Sequence, residues 1–170
     1  TAKRELYTMD EIIKIRPDTV RIYPVVVLKG TRLAELYESG EYAMMSFEKI
    51  IQLCSTMLRE FSDNGIEVIK CGLHASEFVE RDMLGGFYHP AFRELCESNI
   101  YRRKMEELIA YETKSGFDFV FAANSTCISK AMGHKKSNVE YFKNQGINIK
   151  IVGDENIPKQ VIVQPCRCSL

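Results

Sequence analysis

Apolar residues recur along this chain with two alternating periods, which predict helices and strands in turn. Residues 6–13 have the helical period, and Pro17 ends that run. Residues 19–28 are β-branched and nearly continuously apolar, which is typical of a strand buried on both faces in a parallel sheet. Pro24 within this stretch cannot donate a ladder hydrogen bond, so we expect it at the end of a barrel strand, where pairing stops.

The pattern then predicts two helices, a second strand and a loop. Thr31 can cap a short helix over residues 32–38, and Ser46 can cap a longer helix that ends near residues 63–65. A strand follows at residues 66–73, and the long crossover between the two strands predicts that they pair in parallel. Residues 75–86 have neither period and end in a Gly-Gly pair, so we predict a long surface or active-site loop.

A long helix is predicted from Pro90 to Gly116, with proline in its first turn. Beyond it the pattern predicts strands at residues 117–122, 147–152 and 161–164, helices at residues 125–132 and 138–144, and a basic turn at residues 133–137. We therefore predict an α/β protein with two domains. These are residues 1–115 and a small α+β module over residues 116–170.

Composition excludes few functions. The chain has 170 residues, of which 45% are hydrophobic, and lysine plus arginine balance aspartate plus glutamate at 23 each. A net charge of zero gives no general attraction to nucleic acid or to an anionic membrane. No apolar run approaches the ~20 residues of a membrane span, and no signal peptide is visible, so we expect a cytoplasmic protein with no membrane partner.

The six cysteines lack zinc-finger spacing, and we predict no metal site. Cys54, Cys71, Cys96 and Cys127 lie in apolar, periodic settings and are expected to be buried thiols. Cys166 and Cys168 could bind a metal, form a disulfide or lie in a disordered tail.

A longer motif supports a family resemblance. The run VRIYPVVVLKGTRL at residues 20–33 is similar to the V-K/R-I-Y-P-x-x-V-x-K/R-G-T-x-L run of the Elongator catalytic subunit family of radical S-adenosylmethionine proteins. Residues 34–42 continue the match through L-x-E-L-[YW]-x-x-G-x-Y. Residues 86–98 resemble the F-H-P-A-F-R-x-L-V-E-S segment of the uncharacterised bacterial branch. The resemblance covers residues 1–110.

This resemblance implies that residues 1–115 form the C-terminal portion of a partial TIM barrel. It also implies a parent enzyme that cleaves S-adenosylmethionine reductively at a [4Fe–4S] cluster held by a C-x3-C-x2-C loop. The chain contains no such cysteine triplet, and it begins at Thr1 already in helical periodicity. We therefore expect a C-terminal piece that holds neither cofactor and is inactive alone. Its expected partners are the N-terminal remainder of the barrel and, through an open strand edge, a second copy of itself.

Four residues at the predicted exit of the first strand are candidate cofactor-binding residues: Tyr23, Pro24, Lys29 and Thr31. The carboxyl ends of barrel strands are the usual place for ligand contacts, so these residues would line the cavity wall. Alternatively, Tyr23 packs under a neighbouring helix and Lys29 is solvated.

Three further residues are candidate substrate-binding residues: His74, His89 and Arg93. His74 follows the second strand directly and could transfer a proton, or it could be an exposed loop histidine. His89 could face substrate beside Arg93. Alternatively, it caps the long helix while Phe87 and Phe92 hold that helix down. No catalytic residue is assigned.

The stretch at residues 128–142 resembles the I-x-x-x-[IM]-G-x-x-G-x-x-[IV] core of KH domains, which clamp a nucleic-acid backbone in a helix–turn–helix. Its candidate contacts are Lys130, Gly133, His134, Lys135 and Lys136. Lys136 stands where the second glycine of the motif would be. Alternatively, the stretch is a helix hairpin with solvated lysines. Two functions follow, a piece of a radical enzyme that contacts RNA (tRNA in the Elongator relatives) or a stand-alone nucleic-acid-binding accessory protein.

Overall fold

The structure, a computed structural model, describes residues 1–74, 76–111, 118–159 and 161–163. The chain divides into two compact units, Thr1–Arg93 and Glu94–Leu170. Helices and strands are interspersed along the described residues, so the expected α/β class is confirmed. The domain boundary predicted near residues 115–116 lies outside the described residues. No helix in the described ranges has both the length and the apolar character needed to cross a membrane.

The elements are numbered in chain order. The helices are α1 (Ala2–Ile15), α2 (Arg32–Glu38), α3 (Phe47–Asp63), α4 (Glu77–Asp82), α5 (Phe92–Ala110), α6 (Ile128–Met132) and α7 (Ser137–Lys143). The strands are β1 (Thr19–Ile22), β2 (Val26–Leu28), β3 (Glu67–Cys71), β4 (Met83–Gly86), β5 (Asp118–Ala123), β6 (Asn148–Gly153) and β7 (Ile162–Val163). Short 3-10 segments at Ser125–Cys127 and His134–Lys136 stand before and after α6.

In the first unit, β1 and β3 pair in parallel, as the long crossover predicted. The crossover contains α3, whose Ser46 accepts a hydrogen bond from the Lys49 backbone at 3.4 Å, so the predicted N-cap is confirmed. The apolar stripe of α3 is buried at Ile50, Leu53, Cys54, Leu58 and Phe61. Helix α3 thus packs its apolar side against β3 and α1.

The prediction of one continuous strand over residues 19–28 was wrong. The stretch forms β1 and β2, which belong to two different sheets, and neither strand is buried on both faces. Pro24 lies in the break, and because it has no N–H the ladder cannot continue through it. Beyond the break, β2 pairs antiparallel with β4.

The prediction of an irregular loop over residues 75–86 was also wrong, because this stretch contains α4 and β4. The sequence of β4 hardly alternates between apolar and polar residues. The strand depends instead on its two glycines, which approach other groups closely. A Cβ on Gly86 would lie 2.9 Å from the Val25 carbonyl oxygen, and one on Gly85 would lie 3.0 Å from the Tyr37 ring. The glycine pair therefore marks a close strand contact.

The second unit contains most of α5 and a three-stranded sheet in the order β6-β5-β7. Strand β5 pairs in parallel with β6 and antiparallel with β7, and α6 and α7 connect β5 to β6. The predicted order of elements is confirmed, although α5 begins two residues after Pro90. The core residues are Tyr101, Met105, Phe119, Phe121, Ala123, Cys127, Ala131, Phe142 and Ile162.

Candidate functional site

A cavity of about 480 Å³ lies in the first unit beside β1. Its walls come from α1, from α3 and from residues 42–45, and four of the lining side chains are methionines: Met9, Met44, Met45 and Met57. Protein interiors are close-packed and hold few voids larger than a water molecule. A cavity of this size is within the range of roughly 300–1,000 Å³ that binding sites occupy.

The cavity follows the edge of β1. Side chains of a strand point alternately to opposite faces, so a cavity on one face is lined by every second residue. Here six consecutive residues, 20–25, line the cavity, which indicates that it runs along an edge of the strand. Within the described residues, β1 has β3 as its one strand partner. The Ile22 carbonyl accepts a hydrogen bond from Gly72 N at 2.9 Å, so the alternate residues Arg21 and Tyr23 direct their backbone groups to the other edge. That second edge borders the cavity.

The four predicted cofactor-binding residues fall into two pairs. Tyr23, whose side chain is 44% exposed, lines the cavity together with Pro24. Lys29 and Thr31 follow β2 and do not line it. Thr31 donates to the Leu28 carbonyl at 2.7 Å and accepts from Ala34 N at 3.2 Å, so its hydroxyl is the N-cap of α2. Sequence reasoning missed the methionines and Arg21 of this cavity, because their convergence depends on how α1 and α3 pack.

The three predicted substrate-binding residues have different surroundings. His74 is exposed and lies three residues beyond the end of β3. Nδ1 of His89 accepts a hydrogen bond from Ala91 N at 3.1 Å, and Arg93 donates to the Val68 carbonyl at 2.7 Å. The Phe47 ring packs on those of Phe87 and Phe92, with centroids 4.9 and 6.4 Å away. These contacts of His89 and Arg93 secure the start of α5.

The described cysteines do not fit an iron–sulfur cluster. Cys54, Cys71, Cys96 and Cys127 are buried thiols, and no group of three metal-ligating side chains comes together within the described residues. Such a cluster is held by several cysteine thiolates at one site. The remaining pair, Cys166 and Cys168, lies outside the described residues.

In the second unit, the predicted turn connects α6 to α7. Gly133 has a φ of +87°, and a Cβ there would lie 2.5 Å from Oγ of Ser137 and 2.6 Å from N of Asn138. Lys135 and Lys136 follow with φ values of 52° and 63°, which are left-handed conformations that glycine favours. Lys136 therefore has the backbone conformation that suits a glycine at the second position of the motif.

Two of the predicted nucleic-acid contacts lie against carboxylates of α5. Nζ of Lys130 lies 2.7 Å from the Glu97 carboxylate, and Nδ1 of His134 lies 3.3 Å from the Glu94 carboxylate. Lys135 and Lys136 are exposed. Sequence reasoning missed Glu94 and Glu97. Their three-residue spacing on one face of α5 was the available signal.

Further contacts fix α7 to α5. The buried Asn138 side chain donates to the carbonyls of Ser98 and Ala131, both at 2.9 Å. The Arg102 guanidinium lies 4.6 Å above the Tyr141 ring, and a hydrogen bond to Glu106 raises the pKa of Tyr141. The turn is thus held from both of its helices.

Comparison with known proteins defines the class of the chain. Residues 17–102, half of the chain, match the family described as the Radical_SAM C-terminal domain. This match includes β1, β3, α3 and the edge that borders the cavity. The chain belongs to this family, as the resemblance predicted.

Relatives are similar over shorter stretches. The chain is 42% identical over 45 residues to an uncharacterised protein of Methanocaldococcus jannaschii, which is 26% of this chain and 14% of that protein. It is 42% identical over 43 residues to Elongator complex protein 3 of Bos taurus and of Mus musculus, which is 25% of this chain and 8% of each relative. The chain thus matches only a small part of each relative's length.

Proposed function

We propose that this chain is the C-terminal part of a radical S-adenosylmethionine enzyme, in which it supplies walls of the substrate cavity. The observation that carries this proposal is the second edge of β1, which has no strand partner within the described residues and lies beside a cavity of about 480 Å³. A two-stranded parallel sheet is small for an independent unit, because parallel sheets normally have more strands and both faces covered. In this proposal β1 and β3 are the last strands of a partial TIM barrel.

The remainder of the barrel is the proposed partner. Its neighbouring strand would pair with the free edge of β1, and its C-x3-C-x2-C loop would hold the [4Fe–4S] cluster at which S-adenosylmethionine binds. Tyr23 and Pro24 are then wall residues near the cofactor. Among the predicted substrate contacts, His74 is the one that follows a proposed barrel strand most closely in the sequence. This chain alone is inactive in this proposal.

The reading frame upstream of Thr1 tests this proposal most directly. We expect it to encode the C-x3-C-x2-C loop, and we expect the full-length protein, once its cluster is loaded, to cleave S-adenosylmethionine. The same assay on residues 1–170 alone should give no cleavage. A complete gene with no coding sequence before Thr1 would contradict the proposal.

We further propose that the isolated chain forms a homodimer through the same edge, since an unpaired strand is a template for pairing. Sedimentation equilibrium at rising protein concentration should show the dimer. A chain that stays strictly monomeric at high concentration would exclude it. We also propose a cytoplasmic location, and the four buried cysteine thiols support it because thiols persist in a reducing compartment.

The second candidate function is RNA contact through the turn between α6 and α7, within a KH-like module. The specific observation in its favour is the pair of exposed lysines, Lys135 and Lys136, in a turn between two short helices. This contact would serve either the parent enzyme, with tRNA as the RNA that the sequence resemblance indicates, or a stand-alone accessory protein. RNA affinity that falls with rising salt supports it, and affinity independent of salt would refute it.

A further inference from the structure

The five residues predicted to contact nucleic acid have different surroundings. We infer that Lys135 and Lys136 are the cations that contact phosphates, whereas Lys130 and His134 are positioning residues that hold the turn on α5. This inference rests on the proposed RNA contact of the turn. It assigns separate roles within that site.

Lys130 is already neutralised by a carboxylate with little access to water. The Glu97 side chain is 13% exposed, and its carboxylate lies 2.7 Å from the Lys130 ammonium. If Lys130 turned to a phosphate, it would leave that carboxylate largely buried without this cation. Removing one partner of a buried pair is costly, because the other charge remains desolvated. Lys130 therefore stays with Glu97.

His134 is tied to the same face of α5. Its ring nitrogen lies 3.3 Å from Glu94, which is three residues before Glu97 and hence its neighbour on the helix surface. Ser98, the next residue on this face, accepts the hydrogen bond from Asn138. Three consecutive contacts along α5 therefore fix the end of α6, the turn and the start of α7.

Lys135 and Lys136 stand apart from these contacts. Both are exposed, and no ion pair joins either of them to a carboxylate within the described part of the chain. Both have positive φ, a conformation that disfavours residues other than glycine and that persists only where the surroundings enforce it. The contacts of the turn with α5 hold Lys135 and Lys136 in this conformation. The fold therefore holds two adjacent cations outward in one fixed backbone conformation.

The salt dependence of RNA binding distinguishes the two roles. The probe is a fluorescein-labelled single-stranded RNA of about 12 nucleotides, bound by the whole chain and followed by anisotropy. Each phosphate contact on a single strand contributes about 0.7 to the slope of log K against log salt. We expect the double variant Lys135→Ala, Lys136→Ala to lose about 1.4 of this slope. Lys130→Ala should keep the full slope and lower the melting temperature.

Lys143→Ala with Lys150→Ala is the matched control, because both lysines are exposed in the same unit and outside the turn. This control should leave the slope unchanged. A slope that falls for Lys130→Ala, or that persists in the double variant, would overturn the division of roles. If the unaltered chain does not bind the RNA at all, the proposed RNA contact itself fails.

Amine labelling provides a readout that does not depend on RNA. Lys135 and Lys136 should react faster than Lys130 in the folded chain, and Glu97→Gln should raise the reactivity of Lys130 towards theirs. Equal reactivity of the three lysines in the unaltered chain would overturn the inference, even if RNA binds.

Discussion

Gly133 occupies a backbone position that no other residue can adopt without strain. Its φ of +87° is combined with a ψ of 157°, and a Cβ would overlap Oγ of Ser137 at 2.5 Å. We expect Gly133→Ala to lower the free energy of unfolding by about 1–3 kcal/mol or more, measured by urea denaturation. Gly146→Ala is the control, since its φ is +76° and nothing lies within 4 Å. It should cost about 1–2 kcal/mol, and a loss as large as that of Gly133→Ala would contradict the overlap.

Asn138 is a buried polar side chain that joins the start of α7 to α5. It is 3% exposed and donates to two carbonyls, those of Ser98 and Ala131. Asn138→Ala would leave both acceptors without these bonds, so we expect a loss of about 1–3 kcal/mol in thermal or urea unfolding. Asn148→Ala removes an exposed bond to Asp118 and should change stability by about 0.5 kcal/mol or less. Similar losses for the two variants would show that burial of Asn138 does not matter.

At the scale of elements, the sequence predicts well where periodicity and caps agree. The stripe of α3 and its Ser46 cap specify that helix, and the short apolar run with two phenylalanines after Asp118 specifies β5. What it could not predict is the change of sheet at Pro24, because a proline indicates only that pairing stops. The continuation as β2 depends on Gly86, sixty residues away, and on contacts that no local pattern encodes.

The candidate site shows the same limit. The turn could be predicted from the sequence because it contains Gly133 and two lysines. The strand exit at Tyr23 could be predicted as well. The partners of Lys130 and His134 could not be assigned, since they lie on α5 more than thirty residues earlier. The cavity beside β1 was missed for the same reason, because it is formed where α1 and α3 leave a gap.

The pairing of β2 with β4 leads to an element-scale prediction. Gly86 has a φ of +100°, and a Cβ there would lie 2.9 Å from both Val25 O and Val26 Cα. Because backbone cannot yield as a side chain can, we expect Gly86→Ala to separate β4 from β2 and to cost about 1–3 kcal/mol or more. Amide exchange at Val27 and Lys29 should rise, because Lys29 N donates to the Asp82 carbonyl at 2.8 Å and Val27, two residues earlier, faces the same edge.

Gly30→Ala is the matched control for Gly86→Ala. Gly30 has a similar positive φ of +76°, lies in the same unit and has no atom within 4 Å of a built Cβ. It should cost about 1–2 kcal/mol and leave the exchange of β2 amides unchanged. If Gly86→Ala behaves in the same way, the close approach does not hold these strands together.

At the scale of the whole molecule, the two units differ in the sheets that their described residues form. The second unit surrounds its central strand β5 with β6 and β7. The first unit has two sheets of two strands each, and β1 borders a cavity on the side away from β3. We propose that another part of the protein completes the first unit, and we base this on its match to the Radical_SAM C-terminal domain and on its short matches to much longer relatives.

Hydrogen exchange at β1 tests that completion directly. The Arg21 and Tyr23 amides point to the free edge, and we expect them to exchange rapidly in residues 1–170 alone. In the full-length protein a neighbouring strand should protect them by a factor of at least about 100, since an amide in a stable ladder exchanges only through opening. The Gly72 amide, which already donates to Ile22, is the internal control and should change little. Unprotected Arg21 and Tyr23 amides in the full-length protein would mean that the cavity is not filled by a strand. In that case β1 would be a true edge of the folded protein.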